Sequence, residues 1–304
     1  MKRGGSMIKL TDIDGRKVEY LFTGNGEDIV VIMLGMGGCI YDWLEIVNEI
    51  SSFTRVIITH RPGVGKSELH MNGSNTCIAS EDLYALLNQL NINERVILVG
   101  HSYGGLCVQH FVRLYPKKVK GLLLVESASI YRQDKFDKLQ TPVSDEFGSD
   151  EVYISLWKKY SQYTKEKLLE ELKPSLSSKE LGLPKEIQEE IININVSANM
   201  YANQLSEILD LRNDVINMRK VHPFPKCPLI ILIQDSKYAI NEMEEEGIPK
   251  IEAERIVDLA HTLSYGLQEL SSNSKIITVD NSNHCINETR PDAIIDAIKE
   301  LLNI

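Results

Sequence analysis

No stretch of this 304-residue chain is apolar for long enough to span a bilayer as a helix. Its longest apolar runs, Ile29 to Leu34 and Leu229 to Ile233, are far short of the ~20 residues such a span needs. Cysteine is sparse and unpaired in pattern. Cys39, Cys77, Cys107, Cys227 and Cys285 are odd in number, widely scattered and without a CxxC pair. That suits a reducing compartment, with the thiols serving as small hydrophobes, and it offers no metal-site spacing. Positive charge is in deficit: 33 Lys and Arg against 43 Asp and Glu leave a net charge of −10, which argues against nucleic acid as the main partner. Met1 to Met7 carries positive charge without an apolar segment behind it, so no secretory signal is visible and the expected location is cytoplasmic. There is no internal repeat and no low-complexity tract. What is present is ordinary for a folded protein, 43% hydrophobic and 25% charged residues, with a length that suits one large α/β domain or two small ones.

Short β-branched runs alternate with helical patterns. Strands are expected at Val18 to Phe22 (after an Asp14-Gly15 turn), Ile29 to Leu34, Arg55 to Thr59, Val96 to Val99, Leu122 to Val125, Leu229 to Ile233 and Lys275 to Val279. Between them, Ala79 to Leu90, Gly104 to Tyr115 and Pro291 to Ile304 show apolar residues at helical spacing. Strands alternating with helices imply crossover connections and a mostly parallel sheet covered on both sides. From about Ile130 to His222 the alternation stops. That segment reads as amphipathic helices over Glu151 to Tyr163, Lys165 to Leu172, Pro184 to Ile194 and about Ser197 to Met218, the last with Tyr201, Leu205, Ile208, Leu209, Leu211 and Val215 on its stripe. A second helical insertion, Ser236 to Leu270, separates the last two strands.

Gly100-His101-Ser102-Tyr103-Gly104-Gly105 lies between the strand at Val96 to Val99 and the next helix. G-x-S-x-G in that position has a steric logic. A serine on a tight strand-to-helix corner needs small neighbours, and the following helix N-terminus faces any oxyanion that forms. Here the sequence resembles the α/β-hydrolase family, over nearly the whole chain outside the first helical insertion. Leu34-Gly35-Met36-Gly37-Gly38 resembles that family's oxyanion loop, with Leu34 where a histidine is common. His60-Arg61-Pro62-Gly63-Val64-Gly65-Lys66-Ser67 resembles its Asp-Arg-x-Gly-x-Gly-x-Ser turn, and Ser282-Asn283-His284-Cys285 resembles the segment carrying its catalytic histidine. The rival reading of Gly63 to Ser67 as a phosphate-binding loop fails, because His60 stands where glycine is required and Pro62 lacks an amide N–H.

The resemblance implies an eight-stranded sheet forming a core of residues 1–129 and 223–304, with a helical cap of residues 130–222 inserted after strand 6. It implies Ser102 as nucleophile, His284 as base, and the backbone N–H groups of Met36 and Tyr103 as oxyanion donors, with Gly35, Gly100 and Gly104 as loop and elbow glycines. The acid is open between two positions. Glu126 directly follows the strand at Leu122 to Val125 and is favoured; Asp235, just past the strand at Leu229 to Ile233, is the alternative. His101 reads as structural. Glu207 or Asp210 could receive a substrate amine if the enzyme were an aminopeptidase. The expected activity is cleavage of an ester or amide of a small, largely apolar molecule, with no cofactor, metal, nucleic acid or membrane involved. The alternatives are acyl transfer from the same intermediate, and a receptor or regulator that turns over slowly.

Overall fold

The computed structural model describes residues 8–131 and 135–303, with Asp137 described by its backbone alone. Met1 to Met7 and Ile304, on which two of the readings above touch, lie outside the described residues, as do Arg132 to Asp134. Eight strands form one sheet: β1 (Lys9–Ile13), β2 (Arg16–Gly24), β3 (Ile29–Met33), β4 (Arg55–Thr59), β5 (Val96–His101), β6 (Val119–Val125), β7 (Leu229–Gln234) and β8 (Ser274–Val279). Their spatial order is β1-β2-β4-β3-β5-β6-β7-β8. β2 runs antiparallel to both β1 and β4, and all other neighbours are parallel. The helices are α1 (Leu44–Ile50), α2 (Thr76–Gln89), α3 (Tyr103–Leu114), α4 (Pro142–Gly148), α5 (Asp150–Tyr160), α6 (Lys165–Leu172), α7 (Lys185–Asn195), α8 (Ala198–Lys220), α9 (Ser236–Glu245), α10 (Lys250–Gly266), α11 (Ile286–Thr289) and α12 (Pro291–Leu302).

The continuous apolar runs become strands buried on both faces. Every residue of β3, β5 and β7 is buried. Side chains alternate between two cores: Val31 and Met33 face the layer built from α2 and α3, while Val30 and Ile32 face that of α1 and α12. A parallel sheet of this kind gathers its strand C-termini at one edge, where loops carry function.

Among the strands and α-helices, those not expected were β1, α1, α4 and α11. β1 is a polar edge strand in which only Ile13 is buried, so it lacks the apolar run by which a strand is read. Its turn is held by Asp14 and Gly15 at positive φ, with the Gly15 N–H donating to Asp12 at 2.8 Å. In α4, Pro142 occupies the first helical turn, where a missing N–H costs nothing, so the residue that reads as punctuation opens a helix instead. Between β6 and β7 the described residues contain helices and no strand. Ser149, Thr164 and Ser197 cap α5, α6 and α8 by accepting backbone N–H groups. No helix among the described residues is long and apolar enough to cross a membrane.

Candidate active site

Ser102 sits at the corner between β5 and α3, at φ 52° and ψ −121°. L-residues with side chains rarely adopt that conformation, and it costs on the order of 1–3 kcal/mol. The corner is tight because its neighbours are glycines. A Cβ on Gly100 would lie 2.6 Å from both the Gly104 carbonyl oxygen and Val108 Cγ2, and one on Gly104 would overlap the carbonyls of Met33 and Leu34. Backbone hydrogen bonds lock the turn: the Ser102 carbonyl accepts from Gly105 at 2.9 Å and from Ala128 at 3.0 Å, and its N–H donates to Val125 at 3.1 Å. The hydroxyl-bearing side chain is thereby held at the N-terminus of α3.

His284 lies in the loop after β8, its side chain 54% exposed, and its Nδ1 is 3.3 Å from Glu126 Oε2. Glu126 is the first residue past β6, at φ 42°, with its N–H on the Leu232 carbonyl at 3.0 Å. Its buried carboxylate is fixed from the other side by the Gln234 N–H, 2.8 Å from Oε1. Asp235 is committed elsewhere. Oδ1 accepts from the N–H groups of Lys237 and Tyr238 at the start of α9, and Oδ2 from that of Asn281. Donation by Asn281, and then by Lys237 and Tyr238, holds its pKa below the ordinary carboxylate value.

His101 supports the imidazole indirectly. Its Nε2 is 3.0 Å from the His284 carbonyl oxygen, so that nitrogen carries the proton, and the two rings are 5.0 Å apart. Burial, reinforced by His284, pushes its pKa down to about 3, so the ring is neutral. His60, inside the rejected phosphate-loop motif, is equally structural: Nδ1 meets Glu19 at 2.8 Å and Nε2 accepts the Ile40 N–H at 2.9 Å.

The Leu34 to Gly38 loop lies against Ser102. A Cβ on Gly35 would be 3.3 Å from Ser102 Cβ and 3.1 Å from His101 Nδ1. Two cavities meet at the serine. The larger, about 690 Å³, is lined among others by Met36, Tyr153, Trp157 and Gln204. The smaller, about 420 Å³, is lined by Glu126, Ser127, Met243 and Val257 among others. Ser102, His284, Phe136 and Ile256 line both. The predicted nucleophile and base therefore face the same space at the strand C-termini, and Glu126 alone of the two acid candidates reaches the imidazole.

Glu207 and Asp210 are not available to a substrate amine, contrary to expectation. Glu207 is 1% exposed and pairs with Arg61 at 2.6 Å, while Asp210 accepts from Asn75 and Asn213; neither lines a cavity that holds Ser102. Sequence reasoning also missed what Arg61 does. Besides Glu207, it donates to the carbonyls of Leu34 and Gly35 in the loop against Ser102. The signal available was its place one residue after His60 in a turn already singled out. Among the described residues no three His, Cys, Asp or Glu side chains gather to hold a metal ion.

Residues 28–170 match the family model described as the α/β hydrolase fold. The chain belongs to the α/β-hydrolase fold. Over 124 residues it is 26% identical to a cis-3-alkyl-4-alkyloxetan-2-one decarboxylase of Shewanella oneidensis, a match covering 40% of this chain and 39% of that protein. It is 25% identical over 235 residues to a Haemophilus influenzae protein with a provisional esterase/lipase name, covering 77% of this chain and 69% of the other. The solved structure of an esterase from Exiguobacterium antarcticum superposes at a TM-score of 0.66 with 16% identity, covering 98% of this chain and 100% of the other. The chain spans 39%, 34% and 38% of the length of three of the curated relatives it matches. What it shares with α/β-hydrolase-fold proteins is therefore the scaffold; the reaction has to be argued from the site.

Proposed function

We propose that this protein is a serine hydrolase that cleaves an ester or amide of a small, largely apolar substrate. The observation that carries the reading is Ser102 at its strained corner, opening onto the same two cavities as His284, with Glu126 Oε2 3.3 Å from the imidazole Nδ1. Ser102 Oγ attacks the substrate carbonyl as His284 Nε2 takes its proton, and the carbonyl oxygen becomes an oxyanion held by the N–H groups of Met36 and Tyr103. Glu126, accepting from Nδ1–H, fixes the tautomer and stabilises the imidazolium. His284 then protonates the leaving group, and water, deprotonated by the same imidazole, releases the acid from the acyl-enzyme.

Residues 130–222 act as a lid over the core of 1–129 and 223–304. α4, α5 and α8 supply Ser144, Tyr153, Trp157 and Gln204 to the larger cavity, so the insertion forms one wall of the space that Ser102 faces. Charge around the serine disfavours anionic substrates. Asp145, Asp150 and Glu151 line the larger cavity and Glu126 and Glu242 the smaller, with no lysine or arginine among the described lining residues. Such a field disfavours a polyanionic acyl donor such as a coenzyme A thioester, and so favours water over group transfer from such a donor. The all-thiol cysteines fit a cytoplasmic setting.

The test is reaction with a fluorophosphonate followed by mapping of the modified residue, together with turnover of p-nitrophenyl acetate and butyrate. Labelling at Ser102 and loss of turnover in Ser102→Ala support the reading. Unmodified Ser102, or turnover that survives Ser102→Ala, refutes it. Stoichiometric labelling with negligible turnover would favour the slow regulator instead.

A further inference from the structure

Resting on the serine-hydrolase reading, we infer that α8 does more than roof the cavity: Glu207 and Asp214, two turns apart on one face, are positioning residues that hold both halves of the oxyanion hole, through Arg61 and Tyr103 respectively. The hole is then complete only while the helical insertion is docked.

The first half runs through Arg61. Its guanidinium is gripped in a two-pronged pair, Nε to Glu207 Oε1 at 2.6 Å and Nη2 to Oε2 at 3.2 Å, with side chains 4% and 1% exposed. Nη1 also donates to the carbonyl oxygen of Leu34 and Nη2 to that of Gly35. Gly35 C=O and Met36 N–H belong to one trans peptide, so the two bonds point in opposite directions. Capturing the Gly35 oxygen therefore fixes the plane of the peptide that carries the Met36 N–H, beside the cavity that Met36 and Ser102 both line. The Gly38 N–H, also on the Gly35 oxygen at 3.1 Å, closes the turn but carries no charge.

The second half runs through Tyr103, first residue of α3 and owner of the other donor N–H. Its hydroxyl donates to Asp214 Oδ2 at 2.9 Å, deep in the protein. Asp214 is itself steadied by the Thr76 N–H at the start of α2, 3.1 Å from each carboxylate oxygen. The halves also touch, because the Arg61 guanidinium carbon lies 5.4 Å from the centre of the Tyr103 ring. Both carboxylates belong to one helix of the insertion, and both contacts are to residues of the core that carry, or adjoin, an oxyanion donor. A helix needed only as a roof would have no use for buried acids on this face.

The experiment compares Glu207→Gln, Tyr103→Phe and Arg61→Lys with wild type, and with Ser102→Ala as the reference for the underlying reading. Rates with p-nitrophenyl butyrate are expressed per active site titrated with a fluorophosphonate, and binding is measured for an aliphatic trifluoromethyl ketone and for 1-butanol. The ketone reports the hole: Ser102 Oγ bonds to its carbonyl carbon, the proton passes to His284, and the carbonyl oxygen becomes the bound oxyanion. Glu207→Gln keeps shape and one acceptor but removes the charge that holds Arg61. We expect its kcat per site to fall ten- to a hundredfold with KM within threefold, the ketone to lose affinity by the same factor, and butanol binding to stay unchanged. Tyr103→Phe, which removes a single hydroxyl, should lose three- to tenfold in the same pattern, and Arg61→Lys should track Glu207→Gln. A purely structural role would lower the melting temperature and the titrated fraction while leaving kcat per site and ketone affinity at wild-type values. That outcome in folded Tyr103→Phe and Arg61→Lys overturns the inference even if Glu207→Gln fails to fold. If Ser102→Ala keeps its turnover, the serine reading is what has failed; if Ser102→Ala is inactive and the others are fully active, only the role of α8 has.

Discussion

Replacing Glu126 by glutamine changes one atom of a fully described contact. The side chain is 7% exposed, its Oε1 accepts the Gln234 N–H at 2.8 Å, and its Oε2 faces His284 Nδ1 at 3.3 Å. Glutamine can keep the first contact through its carbonyl oxygen, which forces its NH₂ toward the imidazole. A donor there requires Nδ1 to be the acceptor, so the proton moves to Nε2, the atom that receives the Ser102 proton in the proposed mechanism. The base is then blocked by tautomer rather than by displacement, and the imidazolium loses its counter-charge as well. Loss of the equivalent carboxylate charge at fixed geometry costs about 10⁴ in kcat, or roughly 5 kcal/mol of barrier. Glu126→Gln should therefore lose three to four orders of magnitude in p-nitrophenyl butyrate hydrolysis at pH 7, with a melting temperature close to wild type because volume and the Gln234 contact survive. Asp235→Asn is the control. Asparagine keeps the cap of α9 through its carbonyl oxygen and loses only the Asn281 N–H contact that Oδ2 accepts, so activity should stay within about tenfold. An Asp235→Asn enzyme crippled a thousandfold beside a Glu126→Gln enzyme within tenfold of wild type would refute the assignment.

Three further outcomes follow from the geometry. Ser102→Gly should be inactive yet more stable than Ser102→Ala by about 1 kcal/mol, because glycine relieves the strain of φ 52°; equal unfolding midpoints for the two variants would mean that the corner is not strained. Burial lifts the pKa of Asp214 from 3.8 to about 6, so the folded chain holds a proton more tightly than the unfolded one and its stability falls as pH rises from about 4 through 6, by roughly 3 kcal/mol for this group. Asp214→Asn should accordingly gain on wild type in thermal unfolding as the pH is raised across that window, and a difference in melting temperature that stays constant with pH would count against it. Trp157, which lines the larger cavity stacked 5.2 Å from Tyr153, should on replacement by alanine raise KM for a butyrate ester about tenfold, roughly 1.4 kcal/mol of lost contact, while kcat holds; an unchanged KM would remove this cavity from substrate binding.

The parts of the molecule that sequence makes legible are those whose cause is local. Runs such as Ile29 to Met33 are buried on both faces and announce themselves, and Gly100 is required by contacts with Gly104 and Val108 a few residues further on, although Gly104 is required by the distant carbonyls of Met33 and Leu34. β1 stayed hidden because an edge strand can be polar. α8 was found, with Ile208, Leu211 and Val215 of its expected stripe buried, but the stripe is not wholly apolar and one member is misplaced. Leu209, expected on the apolar face, is 59% exposed, whereas Asn203, Gln204, Glu207 and Asp214 are buried. A periodicity argument sends carboxylates to solvent, and here two of them face inward because Arg61 and Tyr103, more than a hundred residues away in sequence, are waiting for them. Pairs of that separation leave no trace in the pattern of either segment.

The choice between Glu126 and Asp235 shows the same division between local and non-local causes. Both follow neighbouring parallel strands, β6 and β7, whose register pairs Val125 with Leu232. Chain order and proximity to a strand end cannot separate them. What does so is the length of the turn after β7. α9 begins at Ser236, directly after Asp235, so there is no slack in which that carboxylate could swing toward the loop after β8. Instead it becomes the helix cap, and three backbone N–H groups use its lone pairs. Glu126 is followed by no helix among the described residues before Phe136, so its side chain has no cap to serve. The Gln234 N–H then orients it toward the next strand end along, where His284 arrives. In the proposed mechanism, an early helix start after β7 thus makes the capping and catalytic roles mutually exclusive at Asp235, which leaves the end of β6 as the position from which an acid would support the base.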